Sequence, residues 1–236
     1  MQILINDNPV TIPSSLEEMT LGQRIDYYNV VGRDLDEQLT ILLEMEEGID
    51  RSMAEMDYAI DKAFRTVAFF AGIEAEALKA DGQMEEVMAI YHTCLATILE
   101  EEDAMELVMR PDWGGEDWII APPKLSAGSE MTFGEFVDSK AVVQNLVALG
   151  SSRWEALQNL AAIYLRKQGE PYHESFLHEG SERLELMRKL PMSIALQVGF
   201  FLTTSVNIWQ NTSQSSLSLP ASQELMLPGT LNSGAG

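Results

Sequence analysis

Apolar and polar positions alternate along residues 2–13, QILINDNPVTIP, on either side of Asn-Asp-Asn. Period-two alternation around turn-forming residues predicts a β-hairpin. The period then changes. A helix is expected from Thr20 toward Tyr28 or Val31, another over 35–47 and a third over about 54–72. In the third, Met56, Ile60, Phe64, Val67 and Phe70 recur at helical spacing and form one apolar face, and Gly72 is placed to end it. Residues 84–106 put Met88, Tyr91, Leu95, Ile98 and Leu99 on one side, with an acidic run at 100–103.

MELVMRPDWGGEDWIIAPPKL then holds two short apolar runs around Pro-Asp-Trp-Gly-Gly, a second hairpin with a glycine loop that Trp113 and Trp118 would clasp. Helices are expected at 133–148, 152–168, 180–189 and 191–208, with Pro191 tolerated in the first turn of the last. Leu190–Trp209 is twenty residues without a charge, the length of a membrane span. Six of the twenty are Ser, Thr, Gln or Asn, and no basic cluster flanks it, so a helix buried in the core or at a subunit interface is the better reading. From Asn211 on there is a single charge, and the composition is that of a flexible tail with short apolar anchors at LSLP and LMLP.

One nonapeptide occurs twice. Residues 18–26 read EMTLGQRID and residues 130–138 read EMTFGEFVD, identical at five of nine positions. Around it the order hairpin, EMT-x-G, apolar helix, Phe-Phe helix repeats: QLTILLEM and AFRTVAFFAG in the first half, QNLAAIYL and IALQVGFFLT in the second. Thr20 with Gln23, and Thr132 with Glu135, have the T-x-x-[EQ] spacing of a capping box, in which the hydroxyl accepts from the third helical N–H and the longer side chain reaches back. Met131 and Phe136 are spaced as a hydrophobic staple; the first copy has Arg24 there instead. Gly22 and Gly134 point to close approach of another backbone, such as the hairpin. The expected fold is mainly α with two β-hairpins (α+β), an internally duplicated hairpin-plus-helices unit. Its parts are an acidic half at 1–106, a second half at 107–210 and a tail at 211–236.

The charge sharpens this. The formal net charge is −22, and residues 1–110 hold 24 acids against 7 bases. Such a chain repels nucleic-acid phosphate and anionic membrane surfaces, while a basic protein partner is permitted. The single cysteine, Cys94, excludes an intrachain disulfide and reads as a small buried hydrophobe, consistent with a reducing cytoplasm. MQILINDNPV lacks the basic and long apolar regions of a secretory signal.

Chemistry is sparse. There is no G-x-S-x-G, P-loop or G-x-G-x-x-G. His173 and His178 are five apart, which does not place both imidazoles on one helical face. Asp26 and Asp138, equivalent in the repeat, are a conceivable carboxylate pair, but single helical aspartates are usually solvated or salt-bridged. No catalytic residue, cofactor or metal is expected.

WGGEDWIIAPPKLSAGSEMTFGEFVDSK (113–140), RWEALQNLAAIYLRKQGEPYHESF (153–176) and SERLELMRKLPMSIALQVGFFLTTS (181–205) resemble proteins encoded among the virion and tail genes of tailed bacteriophages, especially those of Bacteroidetes hosts. The LAAIYLRKQGE…LP…AL…FF pattern is similar to that of phage tail-assembly chaperones. Arg166, Lys167, Glu170, Arg183 and the Leu190-Pro191 junction match it as residues that fix the fold. The resemblance implies a non-enzymatic assembly protein in the host cytoplasm that binds tail or virion proteins, such as a tape-measure protein. The acidic first half departs from a minimal chaperone, so a structural component of the mature virion is the alternative; a carboxylate- or metal-dependent enzyme ranks third. Candidate partner contacts are Phe69, Phe70, Phe200, Phe201, Trp113 and Trp118. A homo-oligomer is compatible with all of this.

Overall fold

The computed structural model describes residues 1–5, 8–81, 84–100, 108–121, 133–148 and 151–200. The fold is mainly helical with two small antiparallel sheets. Strands β1 (Gln2–Ile5) and β2 (Asn8–Thr11) form the first hairpin, with Ile3 opposite Val10. Helix α1 (Leu21–Tyr27) runs through a π-helical turn, Tyr28–Gly32, into α2 (Arg33–Glu44) without leaving helical backbone angles. Helix α3 (Ile49–Ala71) ends at Gly72, whose φ of 67° is the left-handed geometry that glycine adopts at no steric cost. Helices α4 (Ala75–Asp81), α5 (Met84–Ile90) and α6 (Ala96–Glu100) follow, the last two joined by a second π-helical turn, Tyr91–Leu95.

Strands β3 (Asp112–Trp113) and β4 (Glu116–Ile120) make the second hairpin, turning on Gly114 and Gly115 at φ 65° and 70°. A two-residue loop of type I′ needs positive φ at both residues, which explains the glycine pair. Helix α7 (Phe133–Ala148) and α8 (Arg153–Tyr164) lie where expected, but α8 stops four residues early. Leu165–Lys167 is instead a strand, β5, and pairs with β4 so that Ile119 faces Arg166. The apolar spacing of LAAIYLRKQ fits a helix; the open edge of β4 takes its end as a third strand. A 3₁₀ turn (Glu174–Leu177), α9 (Glu182–Arg188) and α10 (residues 192–200) complete the described chain.

One apolar core serves both halves. Ile12, Met19, Leu21, Ile25, Phe64, Val67 and Leu95 meet Trp118, Ile163, Leu165, Met187, Leu190 and Met192 in a contiguous buried cluster. Cys94 is buried in the same cluster. The first nonapeptide is where the halves join. Leu21 N–H donates to the Leu190 carbonyl and Met192 N–H to the Met19 carbonyl, both at 2.8 Å, so Met19–Leu21 and Leu190–Met192 form a β-bridge centred on Thr20 and Pro191. Asp26 accepts from Arg188 at 2.7 and 2.8 Å on the same seam. The backbone close to Gly22 is that of Arg188, not the hairpin: a Cβ on Gly22 would lie 2.8 Å from the Arg188 carbonyl oxygen. Gly134 is exposed.

The uncharged segment enters the core, with Leu190 buried at the β-bridge and Met192, Ala195 and Val198 buried on α10. Among the described residues no helix is long and apolar enough to cross a membrane. The expected tail, 211–236, lies outside the described residues.

Candidate partner-binding surface

Helices α2 and α3 are joined by a four-residue loop, Met45–Gly48, and so pack antiparallel. Leu35 and Leu42 anchor α2. The loop end is held by Arg51, which donates to the Met45 carbonyl at 3.3 Å and pairs with Glu55 at 2.9 Å. The other end is held by an ion pair between Arg65 of α3 and Asp34 of α2. Between these clamps lies an open groove of about 340 Å³, walled by Ile41 and Leu42 of α2, by Met45 at the start of the loop and by Ala54, Asp57 and Tyr58 of α3. Burial raises the Tyr58 pKa, and the nearby Lys62 opposes that shift.

The hairpin is unusually apolar on its outside. Among the described residues, five of the large apolar side chains left exposed fall within 41–56: Ile41, Leu43, Ile49, Met53 and Met56. Scattered exposed apolar residues are ordinary, but a concentration of them marks an interaction surface. The stripe expected from Met56 to Phe70 exists, yet only part of it is covered. Phe64 and Val67 are buried, Ile60 is half-buried and Met56 is 58% exposed. The core ends near Ile60, and the apolar face of α3 continues past it. Helical spacing gives one apolar face from Met56 to Phe70 without showing how much of it the core covers, and the expected partner contacts include none of the α2 residues. Ile41-Leu42-Leu43 was the available signal, because three consecutive apolar residues cannot all face one side of a helix.

The residues singled out from sequence lie elsewhere. Thr20 and Gln23 form the capping box of α1: Gln23 N–H donates to the Thr20 hydroxyl at 3.2 Å and Thr20 N–H to the side-chain Oε1 of Gln23 at 2.9 Å. Thr132, like Met131, lies outside the described residues, while Glu135 is buried and paired with Arg166 at 2.7 Å. A capping box not foreseen, Ser152 with Glu155, starts α8. Phe69 and Phe70 are half-buried at the end of α3, their ring centres 5.5 and 5.4 Å from that of Tyr27. Phe200 is 53% exposed on α10, and Phe201 lies outside the described residues. Trp118 is buried and donates its indole N–H to the Trp113 carbonyl at 3.0 Å, the ring centres 5.0 Å apart. These aromatics therefore sit at three separate places in the fold.

The conceivable acid pair is divided between unrelated partners: Asp26 is held by Arg188, and Asp138 accepts from the Tyr172 hydroxyl. Burial and that carboxylate raise the pKa of Tyr172. His173 caps its 3₁₀ turn, with Nδ1 accepting from Ser175 N–H at 3.2 Å, and His178 follows the turn. Among the described residues no group of three His, Cys, Asp or Glu side chains is arranged to hold a metal ion.

A second cavity, of about 380 Å³, lies where the halves meet and is lined by Arg24, Tyr27, Lys62, Glu100, Arg153 and Trp154 among others. Its cations serve the fold. Arg24 is buried, its guanidinium carbon 4.4 Å from the Trp154 ring centre, and it donates to the Leu99 carbonyl at 2.9 Å. Lys62 pairs with Glu100 at 3.0 Å; burial works to lower its pKa, but hydrogen bonds with Tyr91 and Glu100 raise it on balance. Arg183 plays a similar part near β5, lying 4.9 Å from the Phe176 ring centre and donating to the Leu165 carbonyl. Burial lowers the Arg183 pKa, opposed by Glu170.

No protein-family model matches the chain, and no curated protein or solved structure matches it either.

Proposed function

We propose that this is a non-enzymatic bacteriophage assembly protein, of the tail-assembly-chaperone kind, which holds a segment of another tail or virion protein on the α2–α3 hairpin. The observation that carries partner binding is the open groove between Ile41, Leu42 and Met45 on one side and Ala54 and Tyr58 on the other. The phage setting comes from the resemblance of residues 113–205 to tail-gene products. In this reading the rigid core presents the hairpin, and the groove shields apolar side chains of a client before assembly. The net charge of −22 keeps the loaded complex apart from its neighbours.

A structural role in the mature particle is the second reading. It is favoured by the Met53–Met56 face, a second uncovered apolar surface on the same hairpin, which a permanent interface would cover. Quantitative mass spectrometry of purified particles and of infected cells separates the two. A chaperone is absent from particles and co-purifies with a tail protein during infection. A structural component is present in particles at fixed copy number, and that result would overturn the chaperone reading.

A further inference from the structure

We infer that the α2–α3 groove receives a basic amphipathic helix, which completes a three-helix bundle with α2 and α3. The inference rests on the partner-binding reading above and adds the conformation and charge of the bound segment.

The conformation follows from the walls. The long walls of the groove are helices, so no sheet edge is offered. An extended peptide laid there would leave its own N–H and C=O groups without partners, whereas a helix satisfies them internally. The α3 wall runs from Ala54 to Asp61, about 10 Å at 1.5 Å per residue. That length accepts anchors from two successive turns of an entering helix, spaced i, i+3 or i+4, and i+7.

The charge follows from the rim. Residues 34–61 carry ten carboxylates and one base, Arg51. Asp57 and Asp61 line the groove itself, Asp61 being paired with Lys79 and Arg65 and Asp57 with no cation among the described residues. Glu44, Glu46, Glu47, Asp50 and Asp57 form no ion pair among the described residues. Lys or Arg on the flanks of an entering helix would meet these acids; Glu or Asp there would be repelled. The same argument disfavours a second copy, which would bring ten more carboxylates. It also disfavours residues 211–236, whose only charge is Glu224.

The test uses the full chain and two synthetic helical peptides of about five turns. One has leucine at i, i+4 and i+7 spacing with lysine on the flanks; the other has glutamate for every lysine. By fluorescence anisotropy the lysine peptide should bind at least about tenfold tighter than the glutamate peptide, with affinity falling as salt is raised. Ile41→Ser and Met45→Ser should each weaken it several-fold, Ile41→Ser without changing Tm, while Leu4→Ser, a similarly exposed apolar residue on β1, should leave it unchanged. Equal affinity for the two peptides would overturn the inference. So would a loss with Leu4→Ser as large as with Ile41→Ser, or unchanged binding by the groove variants. If removing residues 211–236 uncovers a groove that is closed to both peptides in the full chain, the tail is the occupant and the inference fails. If the peptides fail while a tail protein still co-purifies from infected cells, only the basic-helix inference falls. If nothing co-purifies, the partner-binding reading falls with it.

Discussion

Arg166 of β5 and Glu135 of α7 form an ion pair at 2.7 Å in which the glutamate side chain is only 1% exposed. It ties the first turn of α7 to the outer strand of the second sheet. Each charge depends on the other, because a lone buried charge is strongly disfavoured. Arg166→Met should therefore destabilise the chain by about 3–5 kcal/mol, and Arg166→Met with Glu135→Leu should recover part of that loss. Denaturant melts of the two variants check this; equal stability of the single variant and the parent would remove the pair from the account.

Gly22 packs directly against the α9 backbone on the seam between the halves. With the Arg188 carbonyl 2.8 Å from the position of a Cβ, Gly22→Ala forces α1 away from α9. The expected cost is about 1–3 kcal/mol, the usual range for overpacking. Alanine is the better helix former, so an increase in Tm would show that the seam is loose.

Thr20→Ala removes the hydroxyl that caps α1 and should cost about 1 kcal/mol. Gln23→Ala removes only the return bond to Thr20 N–H and should cost less. Thermal melts that rank the two in the opposite order would contradict the capping geometry.

Glu18 supplies a pH dependence. Its carboxylate accepts from Ser14 N–H at 2.8 Å, from the Ser14 hydroxyl at 3.0 Å and from the N-terminal ammonium at 3.2 Å, and these bonds hold its pKa below the ordinary glutamate value. A depressed folded pKa contributes stability that is present above the unfolded value, about 4.3, and lost as pH falls through the folded value. The stability advantage of the parent over Glu18→Gln should be constant near neutrality and shrink below about pH 4.3. An advantage that grows on acidification would have the wrong sign.

Much of this fold was legible because local signals agreed. The alternation around Asn-Asp-Asn marks the first hairpin, T-x-x-Q marks the start of α1 and Gly72 marks the end of α3. Each works within a few residues. What was missed depends on distant chain. Leu165–Lys167 is a strand because β4 offers it an edge, and Arg24 is buried because Trp154 lies across the seam. The S-x-x-E of Ser152–Glu155 was present and overlooked. The proposed binding surface was only half legible: helical spacing shows which residues of α3 share a face, but not where the core stops covering it.

We propose that the exposed side of the α2–α3 hairpin binds a client, whereas its buried side, with Leu35, Phe64 and Val67, belongs to the core. Ile41 is 66% exposed, and surface substitutions usually change stability by within about 0.5 kcal/mol. The most direct measurement is quantitative co-purification from infected cells, comparing the parent with Ile41→Glu and Met45→Glu. A phage tail or virion protein should accompany the parent at a fixed ratio and be lost from both variants, while the Tm of Ile41→Glu stays that of the parent. Retention of that protein by both variants, or its absence from the parent, would contradict the claim.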